Sequence, residues 1–236
     1  MNGPRRVGVW LLGLGLGILT HGMAWADAHL VASTWPDTFA VRLQALALLQ
    51  TLNADLLSHD SATATLERWC ELHKMAPDPH IIAVPRRGQP KTPTAAQRQE
   101  LQVAPTQTVR YRHVELMCGS LVLSEADNWY VPARLTAPMN HRLDTTDTPF
   151  GAIVHALHFQ RHTLSSRLLW TPLPAGWEMN SNLAEQSTGN LPVPAEVLEH
   201  RAVLTLPNGT PISEVVEIYT GNVLAFPAPQ APAQKR

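Results

Sequence analysis

The sequence predicts an α+β domain in which an antiparallel β-sheet is flanked by helices. Apolar residues recur every three or four positions between residues 39 and 73, which is the period of a helix. After residue 108, polar and apolar residues alternate, which is the period of a half-buried strand. Asn208-Gly209, between two apolar runs, is a strong signal for a hairpin turn. Helices followed by hairpin-connected strands favour an antiparallel sheet with helices packed against it.

The chain divides into elements at clear breaks in pattern. Residues 85–105 are polar and lack apolar periodicity, so we predict a loop there. Thr148-Pro149-Phe150-Gly151 is a tight turn that can open a helical turn. The predicted helices cover residues 39–57, 62–73 and 138–143, and the predicted strands cover residues 80–84, 108–117, 121–131, 156–171, 202–206 and 212–224.

The first 26 residues have the three parts of a secretory signal peptide. Arg5 and Arg6 are followed by an apolar, uncharged run at residues 7–20, and Ala24-Trp25-Ala26 offers a cleavage site. The run is shorter than the roughly 20 apolar residues that a membrane-spanning helix needs. We therefore predict a cleaved signal at residues 1–26, one domain at residues 27–226, a disordered proline-rich tail at residues 227–236, and a periplasmic or secreted location.

The charge balance excludes some partners. Without Arg5 and Arg6, 16 basic and 19 acidic residues remain, a formal charge of −3. This balance is not the excess of basic residues that is typical of nucleic-acid-binding proteins. No later apolar stretch could span a bilayer. We expect a monomer that binds a small molecule.

The two cysteines leave two alternatives. Cys70 and Cys118 both lie after the predicted cleavage site. In an oxidising compartment they favour a disulfide. As unpaired thiols they would instead be small buried apolar residues. The sequence leaves both readings open.

Strong catalytic and cofactor motifs are missing. The chain has no glycine-rich phosphate loop and no Cys-x-x-Cys or His-Glu-x-x-His motif. His155, His158 and His162 crowd into one segment, but no cysteine or carboxylate accompanies them at a familiar zinc spacing. We therefore predict no metal site and no cofactor.

Charged residues in the predicted strands are the candidates for a binding site. Glu217 alternates with Val215 and Tyr219, which indicates an apolar environment where a carboxylate needs a partner. Arg112 on a neighbouring strand is one such partner. A buried Arg paired with a buried Glu describes a pocket for a small anionic ligand. The alternative is that these side chains lie on the solvated face of the sheet.

Four stretches of the chain carry a recognisable pattern: residues 56–67 (with Leu-Leu-Ser-His-Asp-Ser), 111–132 (Tyr-Arg-His-Val-Glu-Leu-Met-Cys to Val-Pro), 148–151 (Thr-Pro-Phe-Gly) and 209–219 (Gly-Thr-Pro to Glu-Ile-Tyr). Together they resemble the chorismate pyruvate-lyase family, the 4-hydroxybenzoate-forming lyases. The resemblance covers most of the predicted mature chain in the right order and implies an antiparallel sheet flanked by helices around an internal ligand cavity.

The resemblance also implies roles for individual residues. Arg112 would grip the ligand carboxylate, with His113 as the rival because an ungapped count from Cys118 reaches His113. Glu217 would meet the far end of the ligand, with Glu214 as the rival under a different gap. Ala62 stands where the family has a flap Met. The implied ligand-binding residues are Arg112, Phe150, Thr148, Gly151 and Ala62, and the implied catalytic residues are Arg112 and Glu217.

Three functions follow from this resemblance and from the signal peptide. The first is a cofactor-independent carbon–oxygen lyase that eliminates pyruvate from chorismate or a related precursor to give 4-hydroxybenzoate. The second is a non-catalytic periplasmic protein that binds a small aromatic carboxylate. The third is a structural envelope protein. Chorismate is made in the cytoplasm, which argues against an exported lyase.

Overall fold

A six-stranded antiparallel sheet forms the centre of the protein. The computed structural model describes residues 30–31, 33–86, 88–179 and 188–229. The predicted signal, residues 1–26, and residues 230–236 of the predicted tail lie outside the described residues. The order of the strands in the sheet is β2-β3-β4-β8-β7-β5. These strands are β2 (Ile81–Pro85), β3 (Arg110–Cys118), β4 (Leu121–Tyr130), β5 (Gln160–Leu168), β7 (Glu196–Thr205) and β8 (Pro211–Thr220).

Helices cover both faces of this sheet. The short strands β1 (Leu30–Val31) and β6 (Val193–Pro194) pair with each other outside it. The fold class predicted from the sequence, an antiparallel sheet flanked by helices, is therefore confirmed. The helices are α1 (Phe39–Ser58), α2 (Ala62–Leu72), α3 (Ala95–Glu100), α4 (Ala137–Thr145) and α5 (Phe150–Val154).

Two apolar clusters fill the space between the sheet and the main helical layer. The larger one joins α1 and α2 to the sheet, and its most buried members include Leu49, Leu66 and Tyr219. The smaller one joins α4 and α5 to the far part of the sheet through Phe150 and Phe159. Residues of both clusters line the same cavity.

A disulfide connects the helical layer to the sheet. Cys70 of α2 and Cys118 of β3 are bonded, with 6.3 Å between their Cα atoms. The two residues are 48 positions apart. Closing a loop of that length stabilises a fold by about 4 kcal/mol through the entropy of the unfolded chain. The bond therefore fixes α2 against the end of β3.

The segment 85–105, predicted to be a loop, contains the helix α3. A capping box starts this helix, because Thr94 Oγ1 accepts from Gln97 N at 3.1 Å and Gln97 Oε1 accepts from Thr94 N at 2.9 Å. The segment covers the outer face of the sheet, where Leu101 and Trp129 are buried together. Trp129 Nε1 donates to Lys91 O at 2.9 Å. The prediction failed because side-chain caps leave no apolar periodicity.

The late strands also differ from the predicted bounds. Residues His155–Leu157 form a 3₁₀ turn, and His158 takes a left-handed conformation with φ of 51°, so that β5 begins later than predicted. β8 ends at Thr220 and a 3₁₀ helix, Gly221–Leu224, follows. The apolar pattern thus extends beyond the strand in both places, before the start of β5 and after the end of β8.

Gly221 provides a test of the packing between β6 and the end of β8. A Cβ atom at Gly221 would lie 2.3 Å from Pro194 O and 2.7 Å from Val193 Cγ1. We expect Gly221→Ala to lower the free energy of unfolding by about 1–3 kcal/mol, because the backbone must shift. The control is Gly88→Ala, since nothing lies within 4 Å of a Cβ there. Urea unfolding measures both, and equal stabilities would contradict the packing described.

Candidate functional site

A cavity opens between the helical layer and the inner face of the sheet. It holds about 510 Å³ of empty space, including its opening to solvent. Most of its wall is apolar, and seven polar side chains interrupt it. The apolar side chains include Val114, Leu116, Ala126, Phe150, Phe159 and Val215, and the five polar ones with a charge or an amide are Asp60, Arg112, Asn128, Arg161 and Glu217. An apolar hollow with a few convergent polar groups is typical of a small-molecule site.

Arg112 supplies a cation to this cavity. It alternates along β3 with the buried residues Val114 and Leu116, which places it on the inner face. Its Nη2 donates to Thr146 O at 3.3 Å, whereas Nη1 is buried and has no hydrogen-bond partner among the described residues. Burial lowers the pKa of Arg112, and the nearby Tyr130 and Asp144 oppose this effect. The guanidinium therefore has an unused donor at the cavity.

Glu217 lies on the inner face of β8 and is 5% exposed. Its Oε2 accepts from Arg161 Nη2 at 2.5 Å and from the Tyr219 hydroxyl at 3.2 Å. Burial raises the pKa of Tyr219 well above its ordinary value, and the Glu217 charge adds to this effect. Tyr219 thus remains a neutral donor that holds the carboxylate.

Arg161 is the residue that the sequence analysis missed. It lies on the edge strand β5, and its side chain is 4% exposed. Burial would lower its pKa, but Glu217 and Tyr219 raise it above the ordinary value. The neighbouring residues of β5 are polar and mostly exposed, so no apolar alternation marked the inward-facing position. The partner of Glu217 is therefore Arg161 and not Arg112.

His200 on β7 lies beside this ion pair and is neutral near pH 7. Its Nε2 lies 2.8 Å from Asn53 Oδ1 of α1, and its Nδ1 is buried without a hydrogen-bond partner among the described residues. Burial lowers the pKa of His200 to about 4. Arg161 also lowers this pKa, whereas Glu217 raises it. His200 therefore adds no positive charge beside the ion pair near pH 7.

The remaining residues proposed from the sequence divide into two groups. Ala62, Phe150 and Gly151 line the cavity together with Arg112 and Glu217. Thr148 is not part of the wall formed by the described residues, and its amide donates to Thr146 Oγ1 at 3.3 Å. The two rival residues lie elsewhere: His113 Nε2 is 3.6 Å from Glu125 Oε2, and Glu214 Oε1 accepts from Arg201 Nη2 at 2.7 Å.

His155 and His158 line a second, more open cleft, which shares Asp60, Ser61 and Phe159 with the cavity.

Within the described part of the chain, no three His, Cys, Asp or Glu side chains are grouped to hold a metal ion. Over the same residues, no helix has the length and apolar character needed to cross a bilayer.

Fold and site together define an α+β protein with a cavity that is lined by two arginine side chains. No family model matches the chain. The chain is 56% identical over 196 residues to "Uncharacterized protein y4mC" of Sinorhizobium fredii, which covers 83% of each protein. The chain therefore belongs to the same family as y4mC.

The solved structures that the chain resembles are distant. They include PhnF from Mycobacterium smegmatis (TM-score 0.45, 11% identity, 74% of this chain and 70% of that chain) and the effector domain of the same protein (TM-score 0.44, 10% identity, 73% and 96%). A GntR-family transcriptional regulator from Enterococcus faecalis also matches (TM-score 0.35, 12% identity, 66% and 96%). Likeness at this level carries no argument about what this chain binds.

The membership in the chorismate pyruvate-lyase family that the sequence suggested is wrong. No family model matches, the relative that shows the family is y4mC, and the solved structures found are regulator domains. The four stretches that carried the resemblance are short. Each consists of a strand alternation, a cap or a Pro-Gly turn, which many antiparallel sheets require for the same physical reasons.

The environment of His200 predicts how stability depends on pH. Its pKa is about 4 in the folded protein and about 6.5 in an unfolded chain. The unfolded state therefore binds more protons between these values, and stability falls as the pH drops from about 6.5 to 4. The groups that face His200 are Glu217, Arg161 and Tyr219.

We expect His200→Gln to show a smaller loss of Tm between pH 6.5 and pH 4 than the unchanged protein, because Gln does not titrate. Its amide can still donate to Asn53. Thermal unfolding followed by circular dichroism at several pH values provides the comparison, and parallel Tm curves for the two proteins would rule out this role of His200. The control is the exposed His141, replaced by Gln.

Proposed function

We propose that this chain is an exported protein that binds a small aromatic carboxylate in the cavity. The observation that carries the proposal is the buried, unpartnered Nη1 of Arg112 in an otherwise mainly apolar wall. A buried donor left without a partner costs about 1–3 kcal/mol. A carboxylate from a ligand removes this cost with a charge-assisted hydrogen bond.

Arg112 lies near two acidic residues, Asp144 and Asp147, which oppose the lowering of its pKa without forming an ion pair with it. Arg110, two residues earlier on β3, holds the Asp144 carboxylate at 2.8 Å. Among the described residues, no acidic side chain forms an ion pair with Arg112. The rest of the ligand would contact Val114, Phe150 and Phe159, which suit a flat apolar ring. This arrangement supports an aromatic acid as the ligand.

Binding of benzoate tests the proposal. We expect the purified protein to bind benzoate and Arg112→Gln to raise the Kd about tenfold or more, because a charged hydrogen bond is lost. Arg167→Gln is the control, since Arg167 is exposed and pairs with Glu199 away from the cavity. Calorimetry measures all three proteins. Unchanged affinity of Arg112→Gln for benzoate would contradict the proposed role of Arg112.

The proposed export rests on the signal pattern at residues 1–26. We expect the chain, expressed in a Gram-negative bacterium with a C-terminal tag, to be recovered from the periplasm starting at Asp27. Intact mass and N-terminal sequencing identify the first residue. The control replaces Ala24 and Ala26 by bulky residues, which blocks cleavage. Recovery of the full-length chain from the cytoplasm would contradict export.

A further inference from the structure

A second unused donor lies at the same cavity, and it belongs to Arg161. Nη2 of this side chain is bound to Glu217, but Nε is buried and has no hydrogen-bond partner among the described residues. The Arg161 side chain is 4% exposed, so bulk water does not satisfy Nε readily. Nε is therefore a buried donor that no acceptor among the described residues satisfies.

The first turn of α2 lies at the same end of the cavity. Asp60 Oδ1 accepts from Arg161 N at 2.8 Å, which ties the start of α2 to β5. Ala62 and Thr63, the first two residues of α2, line the cavity. Their amides precede the first intrahelical bond, from Thr65 N to Ser61 O, and Ser61 Oγ is already used by Ala64 N. This end of the cavity is therefore rich in donors.

The charges at this end of the cavity are already slightly negative overall. Glu217 and Asp60 carry two negative charges next to the positive charge of Arg161 and the partial positive charge of the helix end. A second anion placed here would face both carboxylates, of which Glu217 is buried. A neutral acceptor, such as a carbonyl oxygen, meets the donors without that repulsion.

Arg112 and Arg161 approach the cavity from opposite sides. Arg112 is on β3 and Arg161 is on β5, and the strands β4, β8 and β7 lie between them. With neighbouring strands about 4.8 Å apart, the two backbones are separated by about 19 Å across the sheet. A ligand held at Arg112 by its carboxylate therefore extends its opposite end towards Arg161.

We infer that Arg161 determines ligand specificity by donating from Nε to a neutral acceptor on the side of the aromatic ring opposite the carboxylate. This inference rests on the proposed function. It narrows the ligand class to aromatic carboxylates with a neutral hydrogen-bond acceptor at the far end of the ring. Glu217 holds Arg161 in place and balances its charge.

Three benzoates of nearly equal shape test this inference. They are 4-acetylbenzoate, with a neutral acceptor, 4-isopropylbenzoate, without an acceptor, and terephthalate, with a second anion. We expect 4-acetylbenzoate to bind about tenfold or more tightly than 4-isopropylbenzoate, because Nε stays unpaired in the second complex. We also expect terephthalate to bind more weakly than 4-acetylbenzoate. Calorimetry with the unchanged protein measures all three.

A double variant then assigns the preference to Arg161. Arg161→Met with Glu217→Gln removes both charges together and avoids a single buried charge. We expect its affinities for the acetyl and isopropyl compounds to agree within about twofold. Circular dichroism checks its fold, and if it does not fold, the ratio in the unchanged protein decides. The control is Arg201→Met with Glu214→Gln, an ion pair outside the cavity, in which the preference should persist.

The possible outcomes separate the two proposals. Equal binding of the acetyl and isopropyl compounds overturns the role of Arg161 and leaves the carboxylate site at Arg112 intact. Tighter binding of terephthalate overturns the neutral acceptor. A preference that survives in the folded Arg161 double variant assigns the contact to another donor. Absence of binding by all three compounds overturns the proposed function and this inference together.

Discussion

The ion pair between Glu217 and Arg161 is the constraint on which the cavity depends. Glu217 is placed between Val215 and Tyr219 on the inner face of the sheet, where a lone carboxylate would be strongly unfavourable. Arg161 neutralises this charge from β5, an edge strand that lies two positions from β8 in the sheet. Loss of one partner of a buried pair costs about 3–5 kcal/mol, because the other charge stays buried. The position of β5 and the chemistry of the cavity are therefore fixed by the same contact.

The groups around this pair keep its charge constant near neutral pH. Burial lowers the pKa of His200 and raises that of Tyr219, so that both remain neutral beside the pair. The Cys70–Cys118 disulfide adds a mechanical constraint, since it joins the helix whose first turn lines one end of the cavity to the strand that carries Arg112. The two ends of the cavity are thus held by one covalent bond and one ion pair.

Much of the fold could be predicted from the sequence, because its elements follow simple periods. The helices α1 and α2 and the closing hairpin at Asn208-Gly209 lie where those patterns put them. The helix α3 was missed because its signal is the reciprocal cap between Thr94 and Gln97 rather than a repeat of apolar residues. A helix start that depends on one pair of side chains cannot be found from the periodicity of apolar residues.

Only part of the candidate site could be predicted from the alternation of residues along the strands. Alternation gives the face on which Arg112 and Glu217 lie, since each has apolar neighbours at two-residue spacing. It does not give the order of strands in the sheet, and that order decides which charge meets which. Arg112 and Glu217 were predicted to pair, but β5 folds back beside β7 and brings Arg161 to Glu217 instead. Arg112 is thereby left without an ion pair among the described residues, and its Nη1 has no hydrogen-bond partner among them.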